Sequence, residues 1–168
     1  MKLLLTVITL LTFSSVVLSQ EFRVPKNYQL EEKEDYDKYQ DDFLEGVKWL
    51  FKHTISYDEK KRAKVEKFVT DWVAGSPTVT VELNYDIAPF IRYSDFKVMY
   101  MGAWATNAIK NDKYGDVLNN TIYSIKAIID YYLKFNGDLI TVKSLEKYVK
   151  LKRKHKLESY IKKKLHYD

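Results

Sequence analysis

Carboxylates are the one residue type in this chain abundant enough to suggest chemistry at first sight. Glu34, Asp35, Asp37, Asp41, Asp42 and Glu45 crowd one short stretch, and Asp37, Asp41 and Glu45 recur at four-residue spacing. Such a row could hold a cation or divide into a general acid and a general base. A calcium loop counted from Asp35 needs Gly at its sixth position and Glu at its twelfth, where this sequence has Gln40 and Gly46. The row therefore reads as the solvated face of a helix. The three histidines, His53, His155 and His166, lie far apart, no HExxH occurs, and there is no cysteine. No zinc set can be assembled from neighbours in sequence. The five glycines do not cluster, so neither a phosphate-cradling loop nor a dinucleotide fingerprint exists, and Gly75-Ser76-Pro77 reads as a helix stop. These residues imply no catalytic group, no metal and no cofactor.

Charge is the second chemical signal, and it is unevenly spread. Residues 143–168 hold ten Lys or Arg against three acids, whereas residues 20–142 carry more acids than bases. Lys152, Arg153, Lys154, Lys156, Lys162, Lys163 and Lys164 are the candidate contact residues for an anionic surface, lipid or glycan. The competing reading pairs these lysines internally with the acidic stretch at residues 34–45. Nucleic acid is not expected as a partner.

Helices must position these groups. Tyr36, Tyr39, Phe43, Val47, Leu50 and Phe51 recur at spacings of three and four, which predicts a helix from about Glu31 to His53–Ile55. Ser56-Tyr57-Asp58-Glu59 has the form of a capping box. It should open a helix through Val65, Phe68, Val69, Trp72 and Val73, with Gly75 as the residue just past its end. Residues 78–83 alternate strictly and form the chain's lone strand-like segment. It either pairs with residues 20–26 or straps across helices. Asn84 to Arg92 is a loop. Ser94 can cap a third helix whose Gly102, Ala103, Ala105 and Ala108 allow another helix to come close. A fourth carries Leu118, Ile122, Ile125, Ile129, Tyr132 and Leu133, leaves Tyr131 off the stripe, and ends at Asn136-Gly137. After Thr141 the apolar positions are Leu145, Tyr148, Val149, Leu157, Tyr160, Ile161 and Leu165. Residues 153–156 are either a turn, the favoured reading, or the middle of one long helix. The expected fold is all-α, a bundle of about five or six helices built from antiparallel hairpins, with an extended piece at residues 78–83. Its core should include Phe43, Val47, Phe68, Trp72, Trp104, Ile122, Ile125 and Ile129.

The start of the chain concerns address rather than fold. Lys2 is followed by an acid-free apolar run from Leu3 to Phe13, and then by short side chains to Ser19. This is the pattern of a cleavable signal peptide at residues 1–19, cut before Gln20. The run is shorter than the ~20 apolar residues of a membrane span. Without cysteine there is no lipid attachment point. Residues 20–168 suit one helical domain, exported to the periplasm or the medium, and the absence of cysteine from an exported chain leans toward a bacterial source.

Residues 72–81 (Trp-Val-Ala-Gly-Ser-Pro-Thr-Val-Thr-Val), Tyr100 to Ala105 and Leu157 to Ile161 together resemble small exported helical proteins of unknown function from Gram-negative bacteria. That resemblance implies an export address and a helical fold, and no activity or site. The expected function is a non-enzymatic binder of another macromolecule, an unknown protein or envelope component. The alternatives are an anionic-surface binder acting through the basic C-terminal region, and a hydrolase whose scattered carboxylates converge in a cleft.

Overall fold

The computed structural model describes residues 21–167; the expected signal peptide lies outside the described residues. Seven α-helices follow in order: α1 (Lys33–Lys38), α2 (Gln40–Lys52), α3 (Glu59–Gly75), α4 (Ser94–Asn111), α5 (Val117–Lys134), α6 (Lys143–Arg153) and α7 (Leu157–Lys164). Among the described residues there is no strand. The chain is an all-helical bundle of packed helix pairs, as the 3.6-residue periodicity requires.

The α4 helix is the centre of the bundle. It packs on α2, α3 and α5, and every side chain from Met99 to Thr106 is buried. Small residues make this possible. A methyl carbon placed on Gly102 would stand 2.8 Å from Val47 Cγ2, so α2 and α4 cross in contact at that point. The α6 and α7 helices pack on α5 and on each other. All eight side chains expected in the core are buried, including Phe43, Phe68, Ile125 and Ile129 with no exposure at all.

Seven helices stand where about five or six were expected, and one of the additions arises because the first predicted helix breaks at Tyr39, which separates α1 from α2 with φ −98° and ψ 10°. Tyr36 lies beside the break. Its hydroxyl donates to the Leu30 carbonyl (2.9 Å), and its own carbonyl accepts from the Trp72 indole N–H (3.2 Å). Tertiary contacts thus hold α1 at its own angle.

The capping box at Ser56–Glu59 does not form. The Tyr57 ring stacks on His53 (centroids 4.3 Å apart, planes 15°) and its N–H bonds back to Thr54, so residues 54–57 are spent on a turn. The cap passes to Asp58, left-handed at φ 43°, whose carboxylate accepts from the Lys61 N–H.

Gly75 is the last residue of α3 rather than a left-handed residue beyond it. What demands glycine is a neighbour: a methyl carbon there would lie 2.0 Å from Tyr36 Oη. The Ser76 hydroxyl then accepts from the Val79 N–H and turns the chain.

Of the two readings of residues 78–83, the structure has the strap. Val79 is buried, Val81 half-buried and Leu83 more than a third exposed, so the alternation packs one edge against α3 and α4 without a ladder. Ile87, Ala88, Phe90 and Ile91 continue as a buried plug containing a 3₁₀ turn at Pro89–Arg92, and the Tyr148 hydroxyl of α6 donates to the Ile87 carbonyl.

Tyr131, expected off the buried stripe, is 2 % exposed. The C-terminal end of α2 covers that side of α5, and the Tyr131 hydroxyl donates to the His53 carbonyl (3.0 Å). Leu133, expected on the stripe, is 40 % exposed instead. The α5 helix ends at Lys134, capped by Phe135 ahead of Asn136-Gly137.

Candidate functional site

The basic C-terminal region folds as a helical hairpin. Leu145, Tyr148 and Val149 of α6 and Leu157 and Ile161 of α7 bury their side chains, while Tyr160 and Leu165 are half-buried. The remaining positions, mostly lysine, are left outside by the helical period. The turn between the helices is a Schellman motif: the Lys156 N–H reaches the Leu151 carbonyl (2.9 Å), the His155 N–H reaches the Lys152 carbonyl (3.0 Å), and His155 is left-handed at φ 53°. The α7 helix ends in the same way, with His166 at φ 58° and the Tyr167 N–H on the Lys162 carbonyl. Both histidines therefore serve as terminators.

The seven candidate residues divide into groups. Lys152 is half-buried and pairs with Asp130 of α5. Arg153, Lys154, Lys156, Lys162, Lys163 and Lys164 are exposed, and among the described residues none of these six enters an ion pair. Lys162 borders a shallow cleft shared with Lys126 and Glu158. There the Glu158 carboxyl is held below its ordinary range by the ammonium of Lys126. Lys163 and Lys164 open instead onto a depression of ≈ 740 Å³ with Asn84, Asp86, Tyr160 and His166. Lys163 and Lys164 thus share one depression, Lys162 borders the other cleft, and Lys156 is the exposed residue just before α7.

Internal pairing with the acidic stretch is not what the structure contains. Asp37 pairs with Lys33 and Glu45 with Lys48, both local, and among the described residues no ion pair joins α1 or α2 to α6 or α7.

Among the described residues the most buried charge is elsewhere. Arg62 of α3 is 3 % exposed. Its Nε lies 2.8 Å from Glu66 Oε1 and 3.4 Å from Asp95 Oδ1, close enough for ion pairing but off the line of a hydrogen bond. Its outer nitrogens donate to the Thr54 carbonyl and to Met99 Sδ. Burial lifts the Glu66 carboxyl above its ordinary range, with Asp95 adding to the rise and Arg62 opposing it. Burial also pushes the Tyr131 phenol up to about 12. The cluster ties α3 to α4 as a brace. Among the described residues no group of three or more His, Asp or Glu is placed to hold a metal ion.

A second basic cluster escaped the sequence reading. The extended segment from Glu21 to Tyr28 lies along α3, and Arg23, Lys26, Lys60, Lys61, Lys64 and Lys67 line the groove between them. The i, i+4, i+7 spacing of Lys60, Lys64 and Lys67 was legible in the sequence. Arg23 and Lys26 were not, because nothing local tells which helix an irregular segment will cross. Comparison with protein-family models, with curated proteins and with solved structures finds no match.

Proposed function

We propose that this is an exported, non-catalytic helical protein that binds another component of the cell envelope, and that the partner is an anionic, phosphate-bearing lipid surface met by the α6–α7 hairpin. One observation carries the reading: exposed cations without an ion-pair partner cluster on this hairpin, and among the described residues no ion pair joins them to the acids of α1 or α2. Export rests on the run from Leu3 to Phe13 and the short residues before Gln20. No helix of the described residues is long and apolar enough to cross a membrane, so contact would be at the surface. Each lysine near an anionic leaflet is worth ~1 kcal/mol, decaying over a Debye length of ~8 Å at physiological salt.

Co-sedimentation with vesicles rich in phosphatidylglycerol, at low and high salt, is the test. Lys156→Gln/Lys163→Gln/Lys164→Gln should weaken low-salt binding by roughly tenfold or more. Lys152→Gln, which removes a cation already spent on Asp130, should change it far less. Equal sedimentation of wild type and triple variant at every salt concentration refutes the proposal. On the same reading the exported protein begins at Gln20, and a product retaining Met1 would refute the processing.

A further inference from the structure

The groove between the extended segment and α3 is a second, independent binding site, and we propose that it takes an extended acidic glycan strand. It goes beyond the lipid-surface reading, because it lies on α3, which packs on α2 and α4, whereas the C-terminal hairpin packs on α5.

The groove encloses ≈ 890 Å³ and is latched at both ends. At one end Lys61 Nζ lies 2.8 Å from Glu21 Oε1 and over the Trp49 ring, and the Trp49 indole also reaches Glu21 (3.4 Å). The bonds from Lys61 and Trp49 hold the Glu21 carboxyl below its ordinary range. At the other end Tyr28 and Lys67 both donate to Asp71 Oδ2 at 2.5 Å, and the Tyr28 ring meets Phe68 edge-on. The latches use Lys61 and Lys67. Between them Arg23, Lys26, Lys60 and Lys64 are exposed and, among the described residues, carry no ion pair. Four like charges gathered along one groove repel one another, and an anionic ligand running along it relieves that repulsion. The two acids that line the groove are already engaged: the Asp58 carboxylate accepts the Lys61 N–H, and Glu21 pairs with the Lys61 ammonium.

Shape and lining select the ligand class. A concave channel follows a chain, whereas a bilayer presents a plane. Lys60, Lys64 and Lys67 span about 10 Å of helix, the reach of a few sugar residues. Three of the four unpaired cations are lysines, point charges on flexible stems that accept carboxylate or phosphate without fixed geometry. Val24 and Pro25 add apolar floor for sugar C–H faces. A peptide cannot add to the extended segment as a strand, because Pro25 lacks an N–H and Asn27 is left-handed at φ 53°. Single-stranded nucleic acid needs open aromatic faces for its bases, and the groove's one aromatic, Tyr28, is packed against Phe68 and bonded through its hydroxyl.

The test is affinity electrophoresis and calorimetry of the protein without residues 1–19. The probes are polygalacturonate, a phosphodiester-bearing mannan, neutral dextran, polyglutamate and single-stranded DNA. We expect salt-sensitive binding of one or both anionic glycans, and the two arms tell uronate from phosphate. Dextran should not bind, and polyglutamate and DNA should bind more weakly. Lys60→Gln/Lys64→Gln and Arg23→Gln/Lys26→Gln should each weaken glycan binding by roughly tenfold. Circular dichroism should be unchanged, since all four residues are exposed. The Lys156/Lys163/Lys164 triple variant should bind glycan within about twofold of wild type, which separates this site from the lipid-facing one. The proposal is overturned if neither glycan binds, if the groove variants bind as wild type does, or if polyglutamate or DNA binds as tightly as the glycans.

Discussion

Replacing Arg62 with methionine tests the brace between α3 and α4. The guanidinium is 3 % exposed and faces two carboxylates, Glu66 at 2.8 Å and Asp95 at 3.4 Å. Removing one partner of a buried ion pair costs about 3–5 kcal/mol, because the other charge stays behind without compensation. Glu66 and Asp95 keep 21 % and 30 % of their side-chain surface in water, so hydration offsets part of the loss. The expectation is about 3 kcal/mol at pH 7, at the low end of that range. The pH dependence has a definite sign. Glu66 is already lifted by burial, and Arg62 is the group that pulls it down. Without Arg62 its folded-state value rises further above its unfolded value. The folded variant then binds more protons than the unfolded chain between those two values, and stability falls as pH rises through that window. The deficit of Arg62→Met should therefore shrink toward pH 4.5 and widen toward pH 7. Urea denaturation followed by the fluorescence of Trp49, Trp72 and Trp104, all buried, reads both quantities. Arg62→Met/Glu66→Gln should recover part of the pH 7 loss. A deficit below about 1 kcal/mol at pH 7, or one that does not vary with pH, refutes the brace.

Two further variants probe packing. Gly75→Ala should cost about 1–3 kcal/mol, since the new methyl would meet Tyr36 Oη at 2.0 Å; in a double-mutant cycle Tyr36→Phe should make the alanine cheaper, and independent effects would show that the contact is not the cause. Ile125→Ala, at a side chain with no exposure, should cost about 2–5 kcal/mol by urea denaturation, and a loss under half a unit would place Ile125 outside the core.

The helical period by itself determined most of the architecture. Apolar stripes such as Phe43–Val47–Leu50 and Ile122–Ile125–Ile129 must be buried wherever the helices go, so an all-α bundle and its principal core residues were legible. The outward-facing lysines of residues 152–164 followed from the same period. Helix ends were less legible, because the sequence was read for glycine and serine at them. The left-handed positions belong instead to Asp58, Asp112, His155 and His166, and the last three close their helices with N–H bonds onto carbonyls of the helix's own last turns. Tertiary structure alone decided which second face of a helix is covered. Tyr131 is buried because the end of α2 lies over it, and Gly75 is required by a tyrosine 39 positions earlier in the chain. It also decided the charges. Lys152 is spent on Asp130, and Arg23 and Lys26 meet Lys60 and Lys64 only because an extended segment is latched along α3. A stripe records what one helix must hide, whereas a salt bridge or a basic groove depends on which segments cross, and that is set by the packing of the whole chain.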